Sequence, residues 1–223
     1  MPLLLIQAIW IKLTVLRLPE PCGKRSGCCG DGNHFKLLII GDSAAAGVGV
    51  DEQKDALAGQ LTSNLSAKYK ISWSLIANTG FTSTDVIKVL TDLTEQTFDY
   101  VLVSVGVNDV THLTRTSHWA TNIRTIVELL DTKFGSPTIL MTSVPPMHQF
   151  SAIPSSLRWW LGLRAKRLNE LMRRATKGQN KYSILTFDLP FEPEFLAKDG
   201  IHPSKLAYSI WAKQAADKID ELY

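Results

Sequence analysis

Ser43 lies where an α/β chain would place a nucleophile. The segment 36–40 (KLLII) has the apolar character of a buried strand, and Gly41, Asp42 and Ser43 follow it directly, ahead of small residues typical of a helix start. A hydroxyl on such a strand-to-helix turn faces solvent, and the amides of the helix N-terminus point at whatever binds beside it. In the plainer interpretation, Asp42 or Ser43 only caps the helix.

Three further polar segments follow, each at the end of an apolar run or before a helical pattern. They are Asn78-Thr79-Gly80, Gly106-Val107-Asn108-Asp109 and Asp199-Gly200-Ile201-His202-Pro203. In the last segment a carboxylate precedes an imidazole by three residues, so the two side chains can meet on one short loop. The others also have plainer explanations, because Gly80 could be a turn glycine and Asn108 and Asp109 could cap a helix.

Taken together, the four segments resemble the motifs of the SGNH (GDSL) hydrolase family. Those motifs are a Gly-Asp-Ser serine, an isolated glycine, a Gly-x-Asn-Asp asparagine and an Asp-x-x-His pair, and all four occur here in that order. The resemblance covers residues 36–220. It implies a serine hydrolase of the carboxylesterase or lipase type, which cleaves acyl esters through an acyl-enzyme and uses no cofactor and no metal.

The resemblance also implies a role for each residue. Ser43 would be the nucleophile, His202 the general base and Asp199 the carboxylate that orients the imidazole. The backbone amides of Ser43 and Gly80 and the side chain of Asn108 would form the oxyanion hole. The chemistry agrees, because a hydroxyl needs a base within hydrogen-bond reach and a developing oxyanion needs preorganised donors.

Among the five histidines we expect His202 to be the base, because Asp199 stands three residues before it and can hold its ring. A lone histidine is more often a surface or packing residue than a catalyst. Asp42 is expected to have a structural role in its loop, since an acid beside the nucleophile would not help a developing negative charge.

Strand and helix signals alternate along the part of the chain that carries these residues. Predicted strands cover 36–41, 71–77, 99–105, 137–143 and 182–187, and predicted helices cover 54–68, 83–93, 117–133, 156–177 and 203–221. The alternation predicts an α/β fold, a three-layer α/β/α sandwich with a five-stranded parallel sheet. The resemblance implies a flavodoxin-like strand order. Ligands bind at the carboxyl ends of such strands, where the four motifs fall.

Composition fits one enzyme domain over residues 36–223. The chain has 223 residues and a net charge of +3, which is too small to indicate a nucleic-acid partner. The basic residues of the segments 164–167 and 173–174 share one helical pattern and are more simply its solvated face.

Residues 1–35 are predicted to form an N-terminal apolar segment and a Pro/Gly/Cys connector. The apolar segment is too short and too polar to span a bilayer, so we expect it to pack on the domain or, in the alternative, to make peripheral membrane contact. The three cysteines, Cys22, Cys28 and Cys29, make neither a disulfide framework nor a zinc pattern. Reduced thiols favour a cytoplasmic location; the oligomeric state is not predicted.

Substrate preference depends on the segment 144–150 and on Trp159 and Trp160, which could line an acyl pocket or belong to a helix core. We favour esters of short to medium acyl chains, with a lysophospholipase possible if the N-terminus meets lipid. An acyltransferase with the same triad remains open, because the two reactions share the acyl-enzyme. A flavodoxin-like nucleotide binder is a remote alternative, since the segment 41–49 matches neither phosphate-binding fingerprint.

Overall fold

The computed structural model describes residues 2–135, 137–176, 181–186 and 192–223. Its strands are β1 (Ser26–Cys29), β2 (Asn33–Gly41), β3 (Tyr69–Ala77), β4 (Tyr100–Ser104), β5 (Thr138–Thr142) and β6 (Tyr182–Leu185). They form one sheet in the order β1-β3-β2-β4-β5-β6. The strands from β2 to β6 pair in parallel with their neighbours, so the five predicted strands are present in the flavodoxin-like order.

The sheet has six strands rather than the five predicted, because β1 adds an antiparallel edge to β3. Its sequence is Ser-Gly-Cys-Cys, which lacks the apolar alternation that reveals a strand, so only pairing to β3 makes it one. The chain then crosses closely over the start of β3. A Cβ at Gly30 would come within 2.1 Å of the Tyr69 carbonyl oxygen, which is why this position needs glycine.

Helices cover both faces of the sheet, as predicted. They are α1 (Pro2–Thr14), α2 (Ser43–Ala46), α3 (Leu57–Leu65), α4 (Ser83–Asp92), α5 (Val107–Thr111), α6 (Thr116–Lys133), α7 (Ser155–Ala175) and α8 (Lys205–Leu222). On one face α4, α6 and α7 pack side by side, and on the other α3 packs on α8. The side chains of β2 divide accordingly, with Leu38 and Ile40 in the first core and Leu37 and Ile39 in the second.

The predicted helices correspond to α3, α4, α6, α7 and α8 within a few residues, whereas α1, α2 and α5 were not predicted. The last two are only four and five residues long, too short for a periodic pattern to show. The predicted ends at 177 and 187 lie outside the described residues. The boundary between residues 35 and 36 stays a prediction, and β2 begins at Asn33.

Among the described helices, none combines the length and the apolar character that crossing a bilayer requires. Cys22 and Cys28 are exposed, Cys29 is half-buried, and each has a free thiol.

Candidate active site

Ser43 is the first residue of α2, directly after β2 ends. The Oδ1 of Asp42 accepts a hydrogen bond from the backbone N of Ala44 at 3.1 Å, so Asp42 caps the helix that carries Ser43. Gly41 lies so close to β4 that a Cβ there would stand 1.9 Å from the Ser104 carbonyl oxygen. This close approach explains why glycine precedes the turn.

Register places the loops after β2, β3 and β4 side by side. Gly41 is paired with Ala77 on one side and with Ser104 on the other. Beyond these pairs, the Asp42 backbone N donates to the Ser104 carbonyl at 3.0 Å and the Asn78 backbone N donates to the Gly41 carbonyl at 3.3 Å. The segments that carry Ser43, Gly80 and Asn108 therefore leave one edge of the sheet together.

The loop before α8 brings a histidine and an aspartate to the same edge. His202 Nε2 lies 2.9 Å from Ser43 Oγ, and His202 Nδ1 lies 2.5 Å from Asp199 Oδ2. The other oxygen of Asp199, Oδ1, accepts from the backbone N of Ile201 and of His202, both at 3.0 Å. The Asp199 side chain is 1% exposed and that of His202 is 21% exposed. This arrangement suits a proton on Nδ1 and a free lone pair on Nε2 directed at the hydroxyl.

Two buried carboxyl groups near Ser43 are perturbed in opposite directions. Burial acts to raise the pKa of Asp199, but the hydrogen bond and charge of His202 and two backbone donors outweigh burial and lower that pKa below its usual value. Burial dominates at Asp42 and raises its pKa to about 7. Asp199 is thus held as the carboxylate, the form that can accept from Nδ1.

Gly80 and Asn108 are both available for a ligand. Gly80 is exposed with φ +89°, and a Cβ there would have open space around it. Asn108 lies in the first turn of α5, where its Nδ2 donates to the Phe81 carbonyl at 2.9 Å. Because an amide carries two N–H groups, this bond orients the side chain and leaves a second donor.

Glu20 and Arg25 hold the Gly80 loop, a role that no motif or spacing in the sequence indicates. Glu20 Oε1 accepts from the backbone N of Thr79 at 2.7 Å and from its Oγ1 at 2.8 Å. Arg25 pairs with Glu20 Oε2 at 2.8 Å and also donates to the Ala77 carbonyl. These two residues lie in the connector, far from Thr79 in sequence, so only the folded chain brings them together.

Asp109, the neighbour of Asn108, ties α5 to α4. It is fully buried and accepts from the backbone N of Ser83 at 2.8 Å and from Ser83 Oγ at 2.7 Å. Asn122 of α6 donates to the same hydroxyl at 2.8 Å. A buried carboxylate with these donors fixes the position of Asn108 relative to the Gly80 loop.

The spacing of three residues between aspartate and histidine does not by itself single out His202. His34 follows Asp31 and His112 follows Asp109 at the same interval. His34 is exposed and its Nε2 lies 2.8 Å from Ser72 Oγ. The fold, rather than the spacing, sets His202 apart.

A small cavity opens beside Ser43 and His202. It has a volume of about 50 Å³, and its lining is mostly apolar, with Val105, Val144, Phe150, Ile201 and Trp211 among its walls. The predicted pocket segment 144–150 thus contributes Val144, Pro145 and Phe150. Trp159 is 63% exposed on α7 and lines a wider neighbouring cleft with Pro145 and His148. Among the described residues, no group of three or more His, Cys, Asp or Glu side chains could hold a metal ion.

Residues 39–210 match the model of the GDSL-like Lipase/Acylhydrolase family. This match spans most of the chain, so the chain belongs to that family and is an acylhydrolase, in class a carboxylic ester hydrolase. The fold is the one that the resemblance implies.

Solved structures share this fold at low identity. The psychrotrophic esterase EstA from Pseudoalteromonas sp. is 18% identical with a TM-score of 0.65, over 84% of this chain and 98% of its own. The lipase/acylhydrolase from Enterococcus faecalis is 18% identical with a TM-score of 0.62, over 84% of this chain and 96% of its own. The protein TesA is 16% identical with a TM-score of 0.68, over 84% of this chain and 99% of its own. A search of curated proteins finds no significant match.

Proposed function

We propose that this acylhydrolase cleaves carboxylic esters with Ser43 as nucleophile and His202 as general base. The observation that carries the proposal is the continuous hydrogen-bonded chain from Ser43 Oγ through both ring nitrogens of His202 to Asp199. A hydroxyl becomes nucleophilic when a base within hydrogen-bond reach removes its proton, and the 2.9 Å distance to Nε2 meets that condition.

The proposed reaction has two halves, formation of an acyl-enzyme and its hydrolysis. Ser43 Oγ bonds to the carbonyl carbon while its proton passes to Nε2, and the resulting tetrahedral oxyanion collapses to the acyl-enzyme. The alcohol leaves as the C–O bond breaks and takes the proton from Nε2. Water then attacks the acyl-enzyme, gives its proton to Nε2, and the carboxylic acid leaves as Ser43 recovers the proton.

Asp199 orients His202 and stabilises the imidazolium that forms in each step. Its Oδ1 is held by two backbone N–H groups, so Oδ2 can only face Nδ1. This fixes the tautomer in which Nδ1 carries the proton and Nε2 accepts one.

The oxyanion is proposed to receive hydrogen bonds from the backbone amides of Ser43 and Gly80 and from Asn108 Nδ2. The adjacency of the three loops and the second N–H of Asn108 support this assignment. Donors that are already oriented stabilise the developing charge without reorganisation.

The acyl group is proposed to be short. A cavity of about 50 Å³ has room for only a few water-sized groups, since one such group needs roughly 10–15 Å³ on the same measure. Its apolar lining suits a short alkyl chain rather than a charged one. Longer chains would have to leave this cavity for the wider adjoining cleft of about 470 Å³, which shares Ser143, Val144 and Pro145 with it.

Hydrolysis of 4-nitrophenyl esters from acetate to palmitate tests the proposal. We expect turnover that is highest for acetate to butyrate and that disappears in Ser43→Ala. The matched control is Ser63→Ala, which removes an exposed hydroxyl from α3 and should keep full activity. Retained activity in Ser43→Ala would overturn the nucleophile assignment. Turnover that depends on an added alcohol acceptor would instead favour the acyltransferase.

A further inference from the structure

The helix α1 is apolar around most of its circumference, yet the domain covers only one side of it. Leu4 and Ile11 pack against the core beneath α4, α6 and α7. Between them, Gln7 Oε1 accepts from Ser156 Oγ of α7 at 3.0 Å. Helices that are apolar on all sides are normally covered on all sides, by protein or by lipid.

We define the apolar face of α1 as the large apolar side chains on its uncovered side. They are Leu3, Leu5, Ile6, Ile9, Trp10 and Leu13, with Leu16 just beyond the helix, and each is between 53% and 79% exposed. Lys12 is the one charged side chain in α1. A continuous exposed patch of this kind marks an interaction site rather than ordinary surface.

Two exposed apolar residues of α7 lie three and seven positions after Ser156 and so share the helix face that contacts α1. Trp159 is 63% exposed and Leu163 is 48% exposed, on the turns that follow the Ser156 contact with α1. Tryptophan favours the boundary between an apolar phase and water, because its ring is apolar and its N–H is polar. The patch therefore extends from α1 onto α7.

The two segments that carry the patch are rich in basic residues. Residues 1–19 and α7 together carry eight of the 24 basic residues of the chain and one of its 21 acidic residues, so the rest of the chain is net negative. Basic side chains beside an apolar helix face are the features that bind anionic lipid headgroups.

The patch stands at the edge of the sheet that carries Ser43. Its α7 part follows the loop from the carboxyl end of β5. Beyond α1, Glu20 bonds to Thr79, just past the carboxyl end of β3. Gln7 in the middle of α1 and Glu20 beyond its end are thus both bonded to segments that follow the carboxyl ends of strands, where the candidate active site lies.

We propose that the apolar face of α1, with Trp159 and Leu163, binds the surface of an anionic lipid bilayer. At 13 residues α1 is too short to span a bilayer, which takes about 20, so it would lie in the plane of the interface. Its apolar side chains enter the acyl region, while Lys12 and Arg17 meet headgroups. A second copy of the chain fits less well, because pairing through the same patch would bring two basic surfaces together.

Sedimentation with sucrose-loaded vesicles tests this proposal independently of any esterase activity. The full chain is mixed with vesicles of phosphatidylcholine alone or of phosphatidylcholine and phosphatidylglycerol in equal parts. We expect strong binding to the anionic vesicles, weaker binding to the neutral ones and loss of the difference at high salt. Absence of binding to either kind of vesicle would overturn the proposal.

Paired variants identify the surface. Ile6→Gln with Ile9→Gln, both at exposed positions, should weaken binding about a hundredfold or more. Lys12→Gln with Arg17→Gln should weaken it about twentyfold on anionic vesicles only. The matched control is Leu206→Gln, at a position 44% exposed on α8 in the opposite layer, which should bind like the unmodified chain. Thermal melts of each variant report whether the fold is kept.

Two outcomes would contradict the assignment of lipid binding to the apolar face of α1. Binding that Ile6→Gln with Ile9→Gln leaves unchanged would place the contact elsewhere. A dimer in sedimentation velocity that these substitutions abolish, without vesicle binding by the unmodified chain, would show that a second copy covers the patch.

Discussion

The substitution Asp199→Asn tests the proposed orientation of His202 most directly, because the structure dictates how an asparagine would sit. The position of Oδ1 accepts two backbone N–H groups, from Ile201 and His202, at 3.0 Å each. An amide NH₂ placed there would face two donors, so the amide oxygen takes that place. The NH₂ group then occupies the position of Oδ2, 2.5 Å from Nδ1 in the present structure.

An NH₂ group at that position donates to Nδ1, so Nδ1 must be the unprotonated nitrogen. The neutral ring then carries its proton on Nε2, facing Ser43, and cannot accept the serine proton. We expect kcat to fall about ten-thousandfold, which corresponds to about 5 kcal/mol in the activation barrier. KM should change little, because Asp199 lies behind the ring and is buried.

The assay is steady-state hydrolysis of 4-nitrophenyl acetate, with a thermal melt to show that the variant folds. The control is Asp217→Asn on α8, an exposed carboxylate that pairs with Lys213, which should retain full turnover. If Asp199→Asn kept kcat within tenfold of the unmodified enzyme, the tautomer argument and the role of Asp199 would both be refuted.

Substitutions at three further positions have expected outcomes. Asn108→Ala should lower kcat about a hundredfold or more with little change in KM, because it removes a donor aimed at charge that forms only during reaction. Steady-state kinetics measure both constants, and an unchanged kcat would remove Asn108 from the oxyanion hole. Glu20→Ala should lower kcat about tenfold, because it frees Thr79, next to Gly80. Glu20→Gln should keep kcat close to that of the unmodified enzyme, since one oxygen of the side chain accepts from both donors of Thr79. Equal steady-state kinetics for the two variants would contradict a positioning role. Burial raises the pKa of Asp42 to about 7 from 3.8, so the folded chain holds this proton more tightly, and the stability this gives at low pH is lost as the pH rises through about 7. Asp42→Asn should therefore lose roughly 2 to 3 kcal/mol less unfolding free energy between pH 5 and pH 8 than the unmodified chain. Urea unfolding at both pH values measures this, and parallel losses in the two proteins would contradict the raised pKa.

The strands and helices that the sequence predicts correctly are those with long apolar or periodic segments. The strands that became β2 to β6 were recognised because each is a run of apolar residues bounded by turn residues. The sequence does not predict the edge strand β1, because its four residues lack such a pattern. Its strand conformation comes from pairing with β3. Helix α1 was interpreted only as an apolar segment, because no polar face marks which side packs on the domain.

The sequence indicates which residues belong to the candidate site, but it does not indicate which side chains lie next to one another there. Ser43, Gly80, Asn108, Asp199 and His202 each stand in a short motif, so the family order pointed to them. Three histidines share the same spacing from an aspartate, and no local pattern separates them.

The sequence by itself determined five of the strands, the five longer helices of the domain, the candidate site residues and the chemistry that such residue types support, because these depend on local patterns and short motifs. Only the tertiary structure decided that His202 Nε2 meets Ser43 Oγ across 159 positions of sequence, and that Glu20 of the connector holds the loop of Gly80. It also left one side of α1 uncovered. The physical reason is that contacts between distant segments follow from strand order and core packing, which the whole chain sets together.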